Sequence, residues 1–177
     1  SFGFMVGDFV RDKDAVTASL LACEVASTAL SNGESFFDQL LKAYETFGLY
    51  QEKLVSFVKK GKEGAMKIKQ MMESLRQTPP EKIDGANIKT IEDFKDGIKY
   101  HCAHDKKEPI NLPKSDVLIF TTEDGAKVAV RPSGTEPKIK FYFSVNSPLT
   151  NQSEYDDLRS HLNEKIERIC GELGLTA

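Results

Sequence analysis

Ala126-Lys127-Val128-Ala129-Val130-Arg131-Pro132-Ser133-Gly134-Thr135-Glu136-Pro137-Lys138-Ile139-Lys140 reads as a strand, a stiffened loop and a second strand. The loop begins at a strand end with Arg131, holds Ser133, Gly134 and Thr135 between two prolines, and returns to Lys140. An arginine fork, two short hydroxyls, a glycine that admits close backbone approach and a lysine are the parts of a phosphate cradle. A Ser-Gly-Thr loop is equally the composition of an ordinary turn. Upstream, Asp116 to Thr122 and Ala126 to Arg131 flank Glu123-Asp124-Gly125, a strong hairpin signal.

Working outward, Leu49 to Val58 carries Tyr, Val and Phe at strand-like density. A patch of Lys59, Lys60, Gly61 and Lys62 leads into a helix with Ala65, Ile68, Met72 and Leu75 on one face, stopped by Pro79 and Pro80. Ile88 to Tyr100 reads as strand with a turn at Asp96-Gly97, and Lys138 to Val145 as another strand. A last helix runs from about Ser153 to Leu173, where Leu158, Leu162, Ile166, Ile169 and Leu173 recur at helical spacing. Hairpins rather than crossover units imply an α+β fold: one antiparallel sheet with helices packed on one face, over residues 49–177. Residues 1–48 differ. Asp14 caps a helix to Leu30 that is apolar on most sides, and Ser35 with Asp38 opens a second one before Gly48. Two such helices read as the tail of a truncated α/β domain whose sheet is missing.

The chain has 177 residues, 40% hydrophobic and 29% charged, with a formal net charge of −3. No run approaches the roughly 20 apolar residues of a membrane span, and the acidic balance argues against nucleic acid as partner. Cys23, Cys102 and Cys170 are odd in number and far apart, as in a reduced cytoplasmic protein. The start at Ser1, without Met or a signal-peptide pattern, is expected of a piece of a longer protein. His101, Cys102 and His104 lack a fourth ligand at metal-site spacing, so no metal is assigned.

The stretch Arg131 to Lys140 resembles the phosphate-binding loop in the C-terminal domain of the α-D-phosphohexomutases, the phosphoglucomutase/phosphomannomutase family. Ser1-Phe2-Gly3 followed by Val10-Arg11-Asp12-Lys13-Asp14 resembles the end of the family's third domain, where a sugar-binding loop precedes a helix-opening Arg-x-Lys-Asp segment. The two matches stand in family order and together span the chain. The resemblance implies a TBP-like fourth domain over 49–177 and the helical end of the sugar-binding third domain over 1–48. It implies that Arg131, Ser133, Gly134 and Thr135 wrap the phosphate that is not transferred. Lys140 stands where several members carry Arg, supplying charge without the fork. Lys13 is the candidate catalytic group, for proton transfer or charge stabilisation in the intact cleft, with Arg11 its electrostatic companion and Ser1 the serine of the sugar loop. A solvated charge run before a helix is the plainer reading of Arg11 and Lys13.

In that family a phosphoserine and an Asp-Gly-Asp-Gly-Asp loop holding Mg²⁺ belong to other domains, and neither motif is present here. The implied parent is a cytoplasmic isomerase, an intramolecular phosphotransferase that interconverts sugar 1-phosphate and 6-phosphate through a sugar bisphosphate. The implied partners are a phosphorylated hexose and the parent's remaining domains, with no membrane and no nucleic acid. Mg²⁺ is expected to bind outside this chain, and the piece alone is expected to be inactive. Glucose is the first choice of sugar and mannose the second. The alternative is a stand-alone phospho-ligand binding module without catalysis.

Overall fold

A computed structural model describes residues 5–9, 11–58, 61–134 and 136–175, with the backbone alone for Lys62. The chain divides into two compact units, one of residues 1–48 with 148–155 and one of residues 49–147 with 156–177.

In the first unit, α1 (Ala15–Ser31) starts where the Asp14 carboxylate accepts the Val16 N–H at 2.9 Å and the Thr17 hydroxyl at 2.7 Å. These bonds favour the ionised cap, and Asp14 lies below the usual carboxylate range, chiefly through Thr17. The helix closes at Gly33, whose φ of 73° puts it in the left-handed region while Glu34 N–H reaches back to Ala29 O at 2.9 Å. A full capping box between Ser35 and Asp38 opens α2 (Phe36–Phe47). Its aromatic side chains collect around Tyr155, with Phe37 edge-on at 5.4 Å and Tyr44 stacked at 6.0 Å. Val16, Leu20 and Leu30 of α1 are 78%, 69% and 72% exposed, and Ala29 alone of this helix is buried. Among its described residues this unit has no strand to lay against those side chains.

The second unit holds β1 (Leu49–Val58), α3 (Gly61–Gln77), β2 (Lys82–Ile83), β3 (Ala86–Asp93), β4 (Ile98–His101), β5 (Lys106–Pro109), β6 (Leu118–Thr122), β7 (Lys127–Pro132), β8 (Lys138–Ser147) and most of α4 (Tyr155–Glu172). The strands form one antiparallel sheet in the order β1-β8-β7-β6-β3-β4-β5, with β2 paired to β3. Alternation decides its faces. Ile139, Phe141, Phe143 and Val145 of β8, Val128 and Val130 of β7, and Leu118 and Phe120 of β6 are buried, and the residues between them face the other way. Ile68 and Met72 of α3 and Leu162, Ile166 and Ile169 of α4 complete the core on the same side. The buried stripe of α3 runs Gly64-Ile68-Met72, a turn-by-turn repeat, while Ala65 is exposed. The hairpin expected at Glu123-Asp124-Gly125 joins β6 to β7. Gly125 has φ 86°, and a Cβ there would stand 3.1 Å from the Asn146 amide that donates to Gly125 O. Sequence reading missed β5. Its Lys106-Lys107-Glu108-Pro109 has no strand pattern and is held as an edge by pairing to β4.

Arg76 pins the end of α3 to the sheet. Its Nε donates to Asp93 at 3.0 Å and its Nη2 to Asp116, and Asp93 is only 5% exposed. Burial lowers the proton affinity of the guanidinium, and the hydrogen bonds and charges of Asp116 and Asp93 raise it above its ordinary value. Removing it leaves Asp93 buried and unpaired. Arg76→Ala is therefore expected to cost about 3 kcal/mol of stability, read as a lower urea midpoint at unchanged slope. A loss below about 0.5 kcal/mol, the scale of a plain surface change, contradicts this role.

Candidate functional site

β7 and β8 pair so that Arg131 lies directly opposite Lys140, and Lys140 is in turn opposite Ser56 of β1. All three stand on the sheet face that the helices leave open, because Val130, Phe141 and Phe57 beside them take the other face. Directly opposed side chains have Cβ atoms about 4.5–5.5 Å apart, and like charges so placed repel. Among the described residues neither Arg131 nor Lys140 forms an ion pair. Two adjacent cations without a counter-charge are offset most directly by an anion between them.

The connecting loop begins at this row. Ser133 N–H donates to Lys138 O at 2.7 Å and Lys138 N–H to Glu136 O at 2.8 Å, which closes a tight turn. The Ser133 hydroxyl accepts a long bond of 3.4 Å from Glu136 N–H and keeps its own proton to donate. Gly134 is exposed, its φ lies outside the left-handed region, and a Cβ there would meet nothing within 4 Å. The loop's own packing does not require glycine. A body approaching the backbone from outside would.

A cleft of about 500 Å³ lies on the helix side of the same loop, lined by Gly61, Ala65, Lys69, Asp116, Ser133, Gly134 and Glu136 among others. Among the described residues its charged lining is Lys69, Asp116 and Glu136, and neither Arg131 nor Lys140 lines it.

The remaining sequence candidates lie elsewhere. Ser1 and Thr135 fall outside the described residues. Arg11 and Lys13 are exposed in the first unit, just ahead of α1. Lys13 is ion-paired to Asp12 at 2.6 Å, and that contact, together with Lys13 N–H, holds Asp12 below its ordinary carboxylate range. Among the described residues no group of three or more His, Cys, Asp or Glu is placed to hold a metal ion, so this donor set does not fit Mg²⁺. His101 instead bonds Glu108 at 3.0 Å, and Lys106 with His101 draws the Glu108 carboxyl down to about 2. No helix among the described residues is long and apolar enough to cross a membrane. Ser56, which sequence reading missed, joins the row purely by register, and no local motif signals it.

Residues 70–148 match the family model described as phosphoglucomutase/phosphomannomutase, C-terminal domain. The phosphoglucomutase of Staphylococcus aureus strain USA300 is 39% identical over 166 residues, covering 94% of this chain and 29% of that protein. Its counterpart in strain MRSA252 is 38% identical over the same length. The chain thus spans under a third of the length of the curated relatives it matches. Among solved structures, the open form of pp63/parafusin, a phosphoglucomutase from Paramecium, superposes with a TM-score of 0.52 at 16% identity, covering 92% of this chain and 28% of that one. That likeness concerns the fold.

Gly134→Ala separates packing from binding. The variant is expected to fold with unchanged or slightly raised stability, since it lowers unfolded-state entropy at a compatible φ. It should also lose most of the amide shifts that inorganic phosphate produces at Ser133 and Gly134 in NMR titration. Phosphate shifts of wild-type size in the variant contradict the site.

Proposed function

We propose, from the match of residues 70–148 to the C-terminal domain of the phosphoglucomutases and phosphomannomutases, that this chain supplies the phosphate grip of a phosphohexomutase. The observation that carries the reading is the opposed pair Arg131 and Lys140, without an acidic partner among the described residues, at the mouth of the Ser133-Gly134 loop.

Interconversion of sugar 1-phosphate and 6-phosphate through a bisphosphate requires one phosphate to be held while the other is transferred, and then the reverse. A grip made of cations, a hydroxyl and a backbone N–H reads the phosphate and not the carbon that bears it, so either end fits. In this reading Arg131 supplies the fork, Lys140 a point charge, Ser133 a hydroxyl donor and Gly134 an open backbone. Thr135 is the loop's second hydroxyl. Lys13 serves the reacting oxygens as proton donor or charge stabiliser, Arg11 stands beside it electrostatically, and Ser1 belongs to the sugar loop. The phosphorylated nucleophile and Mg²⁺ are supplied by the remaining domains of the whole enzyme, in the cytoplasm, with a phosphorylated hexose as substrate.

The isolated chain is then a binder and not a catalyst. Three or four charge-assisted bonds of roughly 1.5–3 kcal/mol each, less an association cost of at least ~4 kcal/mol, leave roughly millimolar affinity for phosphate. Affinity should rise as pH climbs through the phosphate ester's second ionisation, about 6, because the dianion gains more from two cations than the monoanion does. Arg131→Ala should abolish the binding. Glucose 1-phosphate given to the purified chain with Mg²⁺ and sugar bisphosphate should remain unconverted, since a proton-transfer group alone contributes only about 10²–10⁴-fold. Conversion at a rate proportional to the amount of chain overturns the division of labour. Phosphate binding that survives Arg131→Ala overturns the grip.

A further inference from the structure

We propose that the free edge of β1 is a self-association surface, on which a second copy of this chain lays its own β1 antiparallel, with Leu54 on the two-fold axis. The phosphate grip plays no part in this.

The two edges of the sheet are built differently. At one end β5 is four residues long, carries Lys106, Lys107 and Pro109, and places the Lys107 ammonium group over the Tyr100 ring at 5.1 Å. A short edge with lysines and a proline refuses a further strand. At the other end β1 runs ten residues without glycine or proline and, among the described residues, pairs with β8 alone. About half of its backbone N–H and C=O groups therefore point away from the sheet. Tyr50, Leu54 and Val58 stand on the open face at 51%, 51% and 60% exposed, and Tyr142 of β8, opposite Leu54, is 38% exposed. On the helix side Val55 and Phe57 are only half-buried, although Phe57 meets Phe141 edge-on at 6.4 Å. Apolar surface on both faces of the sheet is left uncovered along this edge.

The sequence of β1 selects a second copy as the occupant, because one register of the strand against itself is self-complementary. Residues directly opposed across an antiparallel pair share a face of the sheet, so even positions meet even positions and odd meet odd. With Leu54 opposite the partner's Leu54, Tyr50 meets the partner's Val58 and Glu52 meets the partner's Ser56 on the open face. On the helix side Gln51 meets the partner's Phe57 and Lys53 meets the partner's Val55. No like charges are opposed, and the apolar residues of the open face gather at the axis and at both ends. Lys53 is already paired with Glu167, so it brings no free charge to the seam. Moving the axis to Lys53 opposes two ammonium groups, and moving it to Glu52 opposes two carboxylates, both destabilising. Moving it to Val55 sets Glu52 against the partner's Val58 and shortens the seam. The favoured register engages residues 50–58 of both strands, about 30 Å of seam. One strand pair is a small interface, under roughly 1,200 Å² in total, so the dimer is weak and concentration-dependent.

Sedimentation equilibrium of the purified chain should show the mass climbing from one chain toward two across the micromolar to millimolar range. Leu54→Lys replaces a half-exposed side chain and sets two ammonium groups on the axis. It should keep its urea midpoint and hold the mass at one chain throughout that range. In a background of Cys23→Ser and Cys102→Ser, Leu54→Cys should form a disulfide-linked dimer under a mild thiol oxidant, since opposed Cβ atoms lie about 4.5–5.5 Å apart. Glu52→Cys should give roughly tenfold less, because its counterpart stands four residues further along the partner strand. A mass that stays at one chain overturns the proposal, and so does a dimer that survives Leu54→Lys. A dimer lost on Leu20→Lys instead belongs to the apolar face of α1 and overturns it equally. Equal disulfide yields from Leu54→Cys and Glu52→Cys overturn the register.

Discussion

The antiparallel register of β7 and β8 ties the core to the site. Val128 and Val130 sit opposite Phe143 and Phe141 on the helix side, and burying four such side chains is worth roughly 1.5–3 kcal/mol each. The same register puts Arg131 opposite Lys140 on the open side. A slip of one residue would turn the two cations into the core and the aromatics into water. The repulsion between Arg131 and Lys140 is thus imposed by the burial of their neighbours, and the strands hold two like charges together that neither would seek alone. Two like charges so placed cost stability.

The two faces of the sheet divide the work. On one side α3 and α4 cover the aromatic and branched residues, and ion pairs fasten the helices at the rim: Arg76 with Asp93 and Asp116, Arg168 with Asp84, and Lys165 with Asp124. On the other side no helix of this unit packs among the described residues, and Arg131, Ser56 and Tyr142 are exposed. The loop at Ser133 stands between the two environments, its prolines lining the helix-side cleft while Arg131 and Lys140 face outward. A single turn thereby couples the rigidity of the core to the position of the cations.

In the first unit, local signals set the helix ends and leave apolar side chains exposed. Asp14, Gly33 and the Ser35–Asp38 box set helix ends through bonds within a few residues, so they form wherever those residues occur together. The exposed Val16, Leu20 and Leu30 are a different matter. Their pattern specifies that something apolar should cover them, and the cover itself is a non-local partner.

Much of the fold was legible because it rests on short-range physics. The strand at Leu49–Val58, the hairpin around Gly125, the turn at Gly97 and the amphipathic last helix all follow from spacing and turn chemistry that a linear reading contains. The loop at Arg131 was legible as a turn between two strands from composition and as a family motif from its ten-residue match. The edge strand Lys106–Pro109 was not, since its residues lack strand pattern and only pairing with β4 makes it one. The α3 stripe was read one position off at Ala65, because helical spacing leaves the orientation of a face open until a sheet is placed against it. Sequence alone determined which residues carry charge, which hydroxyls flank the glycine and where helices begin and end. Tertiary structure decided that Lys140 faces Arg131, that Ser56 joins them from a strand more than seventy positions upstream, and that Tyr142 lies alongside. Those are properties of strand register, and register is settled by burial across the whole sheet and not by any residue's neighbours in the chain.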